Sequence, residues 1–441
     1  MRSTLDGFFS FPKDLLIDPE VARHFRRNFI VNAGDGMAWL LGTSFFSVAT
    51  ILPVYASRLT DSAVLIGMIP ALTDVGWYLP QLFMSRRVER LRRTLPTVAL
   101  LGGLERLPYL ILPAVALWID RLPGQGAIVV FLILVAWMGL AGGLVATPWQ
   151  ELIARIIPTS RRGVFFGTSF LGGHLVGVGG ASIAALVLAT IAYPFNYATC
   201  FSLGSLGVLI SYSCMLMTKE PPRRRNAAPG ESLGDYVRRL WGILGSATNF
   251  RSYLVSRSLS YLGNMAYGFM AVYAVQQFAL GDAQAAVFTA IMLAGGIAGY
   301  AVWGPLGDRL GHKRVMQMAG SFMLVALALA LWAKVPQPFT IIFGLLGFSR
   351  AGTLVADLAI AMEFGPEDER PTYVGLARTV TSPAVFVAPI AGGAIIAWAG
   401  YSAMFVIALG LSAAGLCLLS FRVQEPRHLL GGGAQATNAP S

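Results

Sequence analysis

The stretch GVFFGTSFLGGHLVGVGGASIAALVLATIAYPFNYATCFSLGSLGVLISYSCMLMT, residues 163–218, carries no Lys, Arg, Asp or Glu over 56 positions. A helix needs about 20 mostly apolar residues to cross roughly 30 Å of hydrocarbon. The run is therefore long enough for two crossings, with a turn at Ala192-Tyr193-Pro194-Phe195-Asn196. A second charge-free run, the 43 residues 379–421, repeats the pattern with its turn at Gly400-Tyr401-Ser402. No polar faces are left over to meet water, which argues against a buried soluble core.

The whole chain follows suit. Of 441 residues, 55% are hydrophobic and 12% charged, against about 25% charged in soluble domains. Apolar runs between charge and turn signals place spans at 29–55, 62–84, 95–118, 126–150, 163–191 and 194–217, then at 252–278, 285–306, 315–334, 337–362, 372–398 and 401–421. The net charge of +11 is no nucleic-acid footprint, because the basic residues sit in short loops between spans. Alternate connections hold 26 Lys and Arg on one side and three on the other, an asymmetry that puts the rich side in the cytoplasm. The reading is an all-α membrane protein with twelve transmembrane helices and both termini cytoplasmic. Cys200, Cys214 and Cys417 all fall in spans, without metal-ligand or disulfide spacing.

The chain also repeats itself. Pro158, Arg162 and Gly167 after span four answer Pro366, Arg370 and Gly375 after span ten at a constant offset of 208. Glu89-Arg90-Leu91 after span two answers Asp308-Arg309-Leu310 after span eight. These echoes predict two pseudo-symmetric six-helix halves. The parts are a cytoplasmic tail 1–28, an N-terminal half 29–217, a cytoplasmic loop 218–251, a C-terminal half 252–421 and a cytoplasmic tail 422–441.

The run Gly304-Pro305-Leu306-Gly307-Asp308-Arg309-Leu310-Gly311-His312-Lys313-Arg314 resembles the signature loop of the major facilitator superfamily, at the place where that family carries its second copy. The first copy, Met84 to Arg93, lacks the glycines. The resemblance implies the family fold, alternating access, and a cytoplasmic gate whose contacts break as the halves rock. Gate candidates are Glu89, Arg90, Glu151, Arg162, Gly304, Gly307, Asp308, Arg309, Gly311, Arg314, Glu363, Arg370 and Arg378, with Arg155 as a further partner. In such loops a glycine permits a tight turn and an aspartate meets a helix N-terminus.

Ionisable groups at membrane depth face a cavity or a partner. Asp74, Glu105, Arg106 and Arg350 lie nearest the midplane, with Asp35 and Asp357 closer to the cytoplasm. Arg350 and Asp357 are two turns apart on one face and read as cavity lining. Asn32 and Asp35 share a face at i, i+3 and read equally as cavity lining or gate network. Asp74 handles an ion or proton, or else pairs with a base on a facing helix. Glu105 and Arg106 point about 100° apart, so each is expected to find its partner elsewhere, in a structural role. Arg257 and Asn264 repeat the seven-residue spacing in span seven. His174 in span five is a packing residue or a proton carrier. Trp149 and Gln150, followed by Glu151, close span four and offer stacking and hydrogen bonding to a cavity. The glycines 172, 173, 177, 179 and 180 permit close helix contact. Pro389-Ile390-Ala391-Gly392-Gly393 resembles part of an antiporter-type bend, but span five lacks the matching proline.

The expected function is a permease for a small molecule in the plasma membrane, with export the preferred direction. The buried acids are compatible with proton coupling, and Arg350 with an anionic substrate. The alternative is a lipid scramblase or a non-transporting receptor on the same scaffold. No enzyme constellation, metal site or Walker-type loop appears in the sequence, so no cofactor is expected. The expected partners are the substrate, protons and the bilayer, for a monomeric protein.

Overall fold

The computed structural model describes residues 19–88, 91–123, 125–221, 233–365 and 369–426. The described residues are helical almost throughout. In chain order the helices are α1 (Pro19–Ser44), α2 (Ile51–Leu59), α3 (Ala63–Val88), α4 (Leu95–Trp118), α5 (Gly126–Ile156), α6 (Thr159–Thr190) and α7 (Phe195–Leu216). There follow α8 (Leu233–Ser246), α9 (Thr248–Gly263), α10 (Met270–Gln277), α11 (Ala283–Leu310), α12 (His312–Trp332), α13 (Pro338–Glu363) and α14 (Arg370–Arg422). Among the described residues, nine helices are long and apolar enough to cross a membrane.

Departures from the expected spans have local causes. Expected span one is two helices, α1 and α2, separated at residues 45–50, where Ser44, Ser47 and Thr50 are buried. Backbone bonds carry the chain through the break, as hydrocarbon demands: Phe45 N donates to the Gly42 carbonyl at 3.2 Å and Leu52 N to the Ser47 carbonyl at 3.0 Å. The side chains pair as well: Thr50 Oγ1 donates to Ser47 Oγ at 2.7 Å, and the hydroxyls of Thr50 and Thr289 bond to each other. Expected span seven is α9 and α10, joined through a one-turn 3₁₀ segment at Asn264–Ala266. Spans eleven and twelve form the single element α14, broken at Gly400, whose φ of 80° suits glycine. The expected polar loop 218–251 contains a helix, α8, whose Ile243 is buried while Arg238, Arg239 and Trp241 are exposed.

The chain packs as two units. The first comprises the described residues of Met1–Phe46 and Gly76–Ala228, the second those of Ser47–Val75 and Pro229–Ser441. In the first, α1 packs on α6 and α7, and α4 on α5 and α7. Small residues allow these approaches: a Cβ at Gly207 would lie 2.7 Å from Gly42 Cα, and Gly172, Gly173 and Gly180 of α6 face Met37, Leu40 and Ser44 of α1. In the second, α9 packs on α14, and α13 on α11 and α12. Here Gly393 meets the backbone of Ala63, and Gly67 that of Pro389, so the Pro389–Gly393 segment of α14 seats the start of α3.

One clamp occurs in both units. In the first, Asn28 Nδ2 donates to the Lys219 carbonyl at 2.9 Å and Lys219 N donates back to Asn28 Oδ1 at 2.9 Å. In the second, Asn249 Nδ2 donates to the Gln424 carbonyl at 3.1 Å and Gln424 N to Asn249 Oδ1 at 2.8 Å. The next residue is a glutamate each time. Glu220 accepts from Thr94 N and Oγ1 and from Leu95 N at 2.7–2.8 Å, meeting the free N–H groups that open α4. Glu425 lies against Gly311, at the start of α12, where a Cβ would come 2.7 Å from its Oε2.

Candidate functional site

Three polar clusters lie along the apolar helices. In the first unit, α1 supplies Asp35, α4 supplies Glu105 and Arg106, α5 supplies Trp149 and α7 supplies Ser211. Ser211 Oγ donates to Asp35 Oδ1 at 2.6 Å, and Trp149 Nε1 donates to Asp35 Oδ2 at 3.4 Å. Arg106 Nη2 donates to Ser211 at 3.3 Å and Nη1 to the Gly102 carbonyl at 3.2 Å. The expectation that Glu105 and Arg106 find separate partners is corrected: they form an ion pair with each other. The side chains leave the helix about 100° apart, but the long arginine side chain curls back to its neighbour. Its guanidinium also lies over Trp39 and Tyr212, at 4.9 and 5.5 Å from the ring centroids.

In the second unit, Asp357 of α13 is saturated. Arg257 of α9 donates to both of its oxygens, at 2.9 and 3.0 Å. Tyr253 and Tyr261 donate at 2.8 and 2.6 Å. Asp357 thus pairs with Arg257 from another helix. Its acceptor capacity is taken up by a cation and two phenols, an arrangement suited to locking α9 onto α13.

The third cluster is also in the second unit. Arg350, midway along α13, is exposed and stacks over Tyr267, 5.2 Å from the ring centroid. Its charge acts on Asp74 of α3, on Tyr267 and on Tyr300 of α11. Tyr267 Oη lies 3.1 Å from the Met292 sulfur. The guanidinium thus stacks on one phenol and lies within electrostatic reach of a carboxylate and a second phenol.

The remaining candidates fall as follows. Asn32 bonds the Asn28 carbonyl and Thr218 at 2.9 and 3.0 Å, beside the clamp. Gln150 and Asn264 are exposed. His174 Nδ1 donates to Phe170 O at 2.8 Å, within its own helix. Helix α5 continues to Ile156, so Trp149–Glu151 do not close it. Glu151 accepts from Arg155 Nε at 2.8 Å, and Arg155 also bonds Glu220 and the carbonyls of Leu91 and Arg92. Arg162 donates to the Ile157 and Ala154 carbonyls, closing the end of α5. Gly304, Gly307, Asp308 and Arg309 belong to the last turns of α11, with Asp308 and Arg309 exposed, and the reversal is made at Gly311 alone, φ 91°. Glu363 Oε1 lies 2.8 Å from His312 Nδ1. Arg314 and Arg378 are exposed. Glu89 and Arg90 lie outside the described residues, as does the side chain of Arg370.

Sequence reasoning missed Ser211, Tyr253, Tyr261, Tyr267, Tyr300 and the paired asparagines. Only the last left a signal, in Asn28-Phe29 and Asn249-Phe250, each matched by a Glu-Pro pair, Glu220-Pro221 and Glu425-Pro426. No group of three or more His, Cys, Asp or Glu able to hold a metal occurs among the described residues.

Residues 253–440 match the sequence model of the Major Facilitator Superfamily. That stretch of the chain is similar to the superfamily. No curated protein matches it by sequence, but solved structures share its fold. A D-xylose–proton symporter superposes with a TM-score of 0.70 at 13% identity, covering 92% of this chain and 99% of its own. The nucleoside transporter NupG gives 0.64 at 11%, covering 88% and 97%. A bacterial homologue of the human lysosomal transporter Spinster, inward-facing and unoccupied, gives 0.62 at 12%, covering 96% and 100%. At such identities the likeness carries the fold alone. With nine helices long and apolar enough to cross a membrane among the described residues, and a C-terminal stretch similar to that superfamily, the chain is a multi-pass membrane protein.

Proposed function

We propose that this chain is an alternating-access permease for a small polar solute, built from twelve spans in two six-helix halves with both termini in the cytoplasm. Secondary transporters of repeat architecture bind solute near the midplane, on groups projecting from interrupted helices. Arg350 carries the reading. It is a permanent cation halfway along an apolar helix, exposed rather than buried, resting on Tyr267 within electrostatic reach of Asp74 and Tyr300. A charge at that depth is costly unless it faces water, a counter-charge or a ligand. Tyr267 lies within the interruption between α9 and α10.

The chemistry suits a solute with an anionic or strongly accepting group for the guanidinium, and hydroxyl or amine donors for Asp74. A thermal-shift screen of the full-length protein against chemically diverse solutes tests this. A solute at 100 times its dissociation constant stabilises by about 2.7 kcal/mol. That shift disappears in Arg350→Ala and shrinks in Arg350→Lys, while folding and insertion persist. Solute flux through Arg350→Ala with unchanged apparent affinity would sink the assignment. Lipid flux with no solute requirement would replace a permease with a scramblase.

A further inference from the structure

The cluster in the first unit has an unbalanced charge. Asp35, Glu105 and Arg106 are 5%, 4% and 6% exposed, and Ser211 is fully buried. Two carboxylates therefore share one guanidinium in a site closed to water. The other groups facing them are neutral. From α4 comes Tyr109, which feels both Glu105 and Arg106. From α5 comes the Trp149 indole, and from α7 the Tyr212 ring and Cys214, which feels Asp35. Helix α6 contributes Ser169, beside Gly36. On α1 itself, Trp39 underlies the guanidinium. The nearby Glu151 is engaged by Arg155. Among the described residues, the one cation acting on Asp35 and Glu105 is Arg106.

A surplus negative charge removed from water costs several kcal/mol. A single proton cancels the surplus. The hydrogen bonds link the two carboxylates through one shared cation, so protonating either neutralises the whole group: Arg106 donates to Glu105 and to Ser211, and Ser211 donates to Asp35. We propose that Asp35, Glu105, Arg106 and Ser211 form a buried proton-binding site that holds one proton in common between the two carboxylates. Uptake converts one carboxylate into a carboxylic acid, release reverses it, and nothing is oxidised or reduced. As with other coupled carboxyl pairs, the proton is a property of the pair. The inference goes beyond the solute reading and does not depend on Arg350.

The test is infrared difference spectroscopy of the full-length protein in lipid nanodiscs, following the carbonyl stretch of protonated carboxylic acid and its shift on deuterium exchange. The wild type shows such a band. Asp35→Asn and Glu105→Gln each leave one carboxylate for one guanidinium, so each variant loses it. Arg106→Gln removes the cation, calls for a second proton, and raises the band about twofold by the same charge balance. Thermal melts confirm that each variant is folded, and the opposite sign of the Arg106→Gln result keeps the test open should one amide variant fail. A band that survives both amide variants, or disappears in only one, overturns the shared proton. The solute screen above reads a different site, so either idea can fail alone.

Discussion

Removing Arg257 while leaving Asp357 in place should be among the most damaging single changes available in the second unit. The arginine side chain is 6% exposed and the aspartate 25%. Asp357 accepts four hydrogen bonds, two from the guanidinium and one each from Tyr253 and Tyr261. Arg257→Ala strands the carboxylate with two phenols and no counter-charge. Breaking a buried pair by deleting one partner typically costs about 3–5 kcal/mol. In a unit of this size 1 kcal/mol moves a melting temperature by roughly 2–4 °C, so a loss of about 10 °C is expected. Replacing both partners with apolar residues, Arg257→Met with Asp357→Leu, removes the uncompensated charge and should recover most of that loss. A double-mutant cycle on the purified protein, read by thermal or denaturant unfolding, measures the coupling. A single-variant cost below about 1 kcal/mol, the range of solvent-exposed pairs, would refute the reasoning. So would a double variant no more stable than Arg257→Ala.

Three further outcomes follow from the clamps and the turn. Gly311→Ala forces a side chain into a backbone region that belongs almost only to glycine and aims it at the Glu425 carboxylate, so it should cost about 1–3 kcal/mol, measured by melting; an unchanged melt would refute the turn geometry. Glu220→Ala removes one of the acceptors of Arg155 and leaves Thr94 and the start of α4 without theirs, and hydrogen bonds to a charged group run at about 1.5–3 kcal/mol each; proteolysis at residues 91–94 should accelerate, and an unchanged rate would argue against the cap. Asn28→Ala and Asn249→Ala each delete two backbone bonds and should destabilise similarly, by about 1–3 kcal/mol, in a denaturant titration; a large inequality would contradict the equivalence of the two clamps.

The fold was legible where the sequence is monotonous. The charge-free run 379–421 predicts a turn at Gly400, and the backbone breaks there. Less regular signals were harder to read. Ser44, Ser47, Thr50 and Asn264 look like scattered polar substitutions in apolar runs, yet they mark the interruptions of two expected spans. Helix α8 was hidden because Arg238 and Arg239 make its window look like solvated loop, although Ile243 is buried. At the sites, the sequence supplied the charged residues but not their pairing. Asp357 takes Arg257, 100 positions away, and Asp35 takes Ser211, 176 positions away. Such contacts depend on helix packing, and nothing local encodes them. Tyrosines were missed for a related reason: in an apolar helix a phenol reads as packing until its partner is known.

The two units use the same scaffold for opposite electrostatic ends. Each clamps one helix, α1 or α9, to the chain leaving α7 or α14 through an asparagine and follows with a glutamate, Glu220 or Glu425, at the start of α4 or α12. The charged clusters deeper in the helices do not match. Asp357 and Arg257 balance one for one, and two tyrosines complete the carboxylate, so the cluster has no vacancy for an exchangeable ion. Asp35 and Glu105 outnumber Arg106, with a single serine and an indole filling the remaining positions at Asp35. A saturated, neutral cluster resists change because every rearrangement exposes a charge. A cluster of two carboxylates and one guanidinium reaches neutrality by binding one proton. The two units thus share the clamps that hold helices in place, while a few buried side chains make one cluster a lock and the other a proton store.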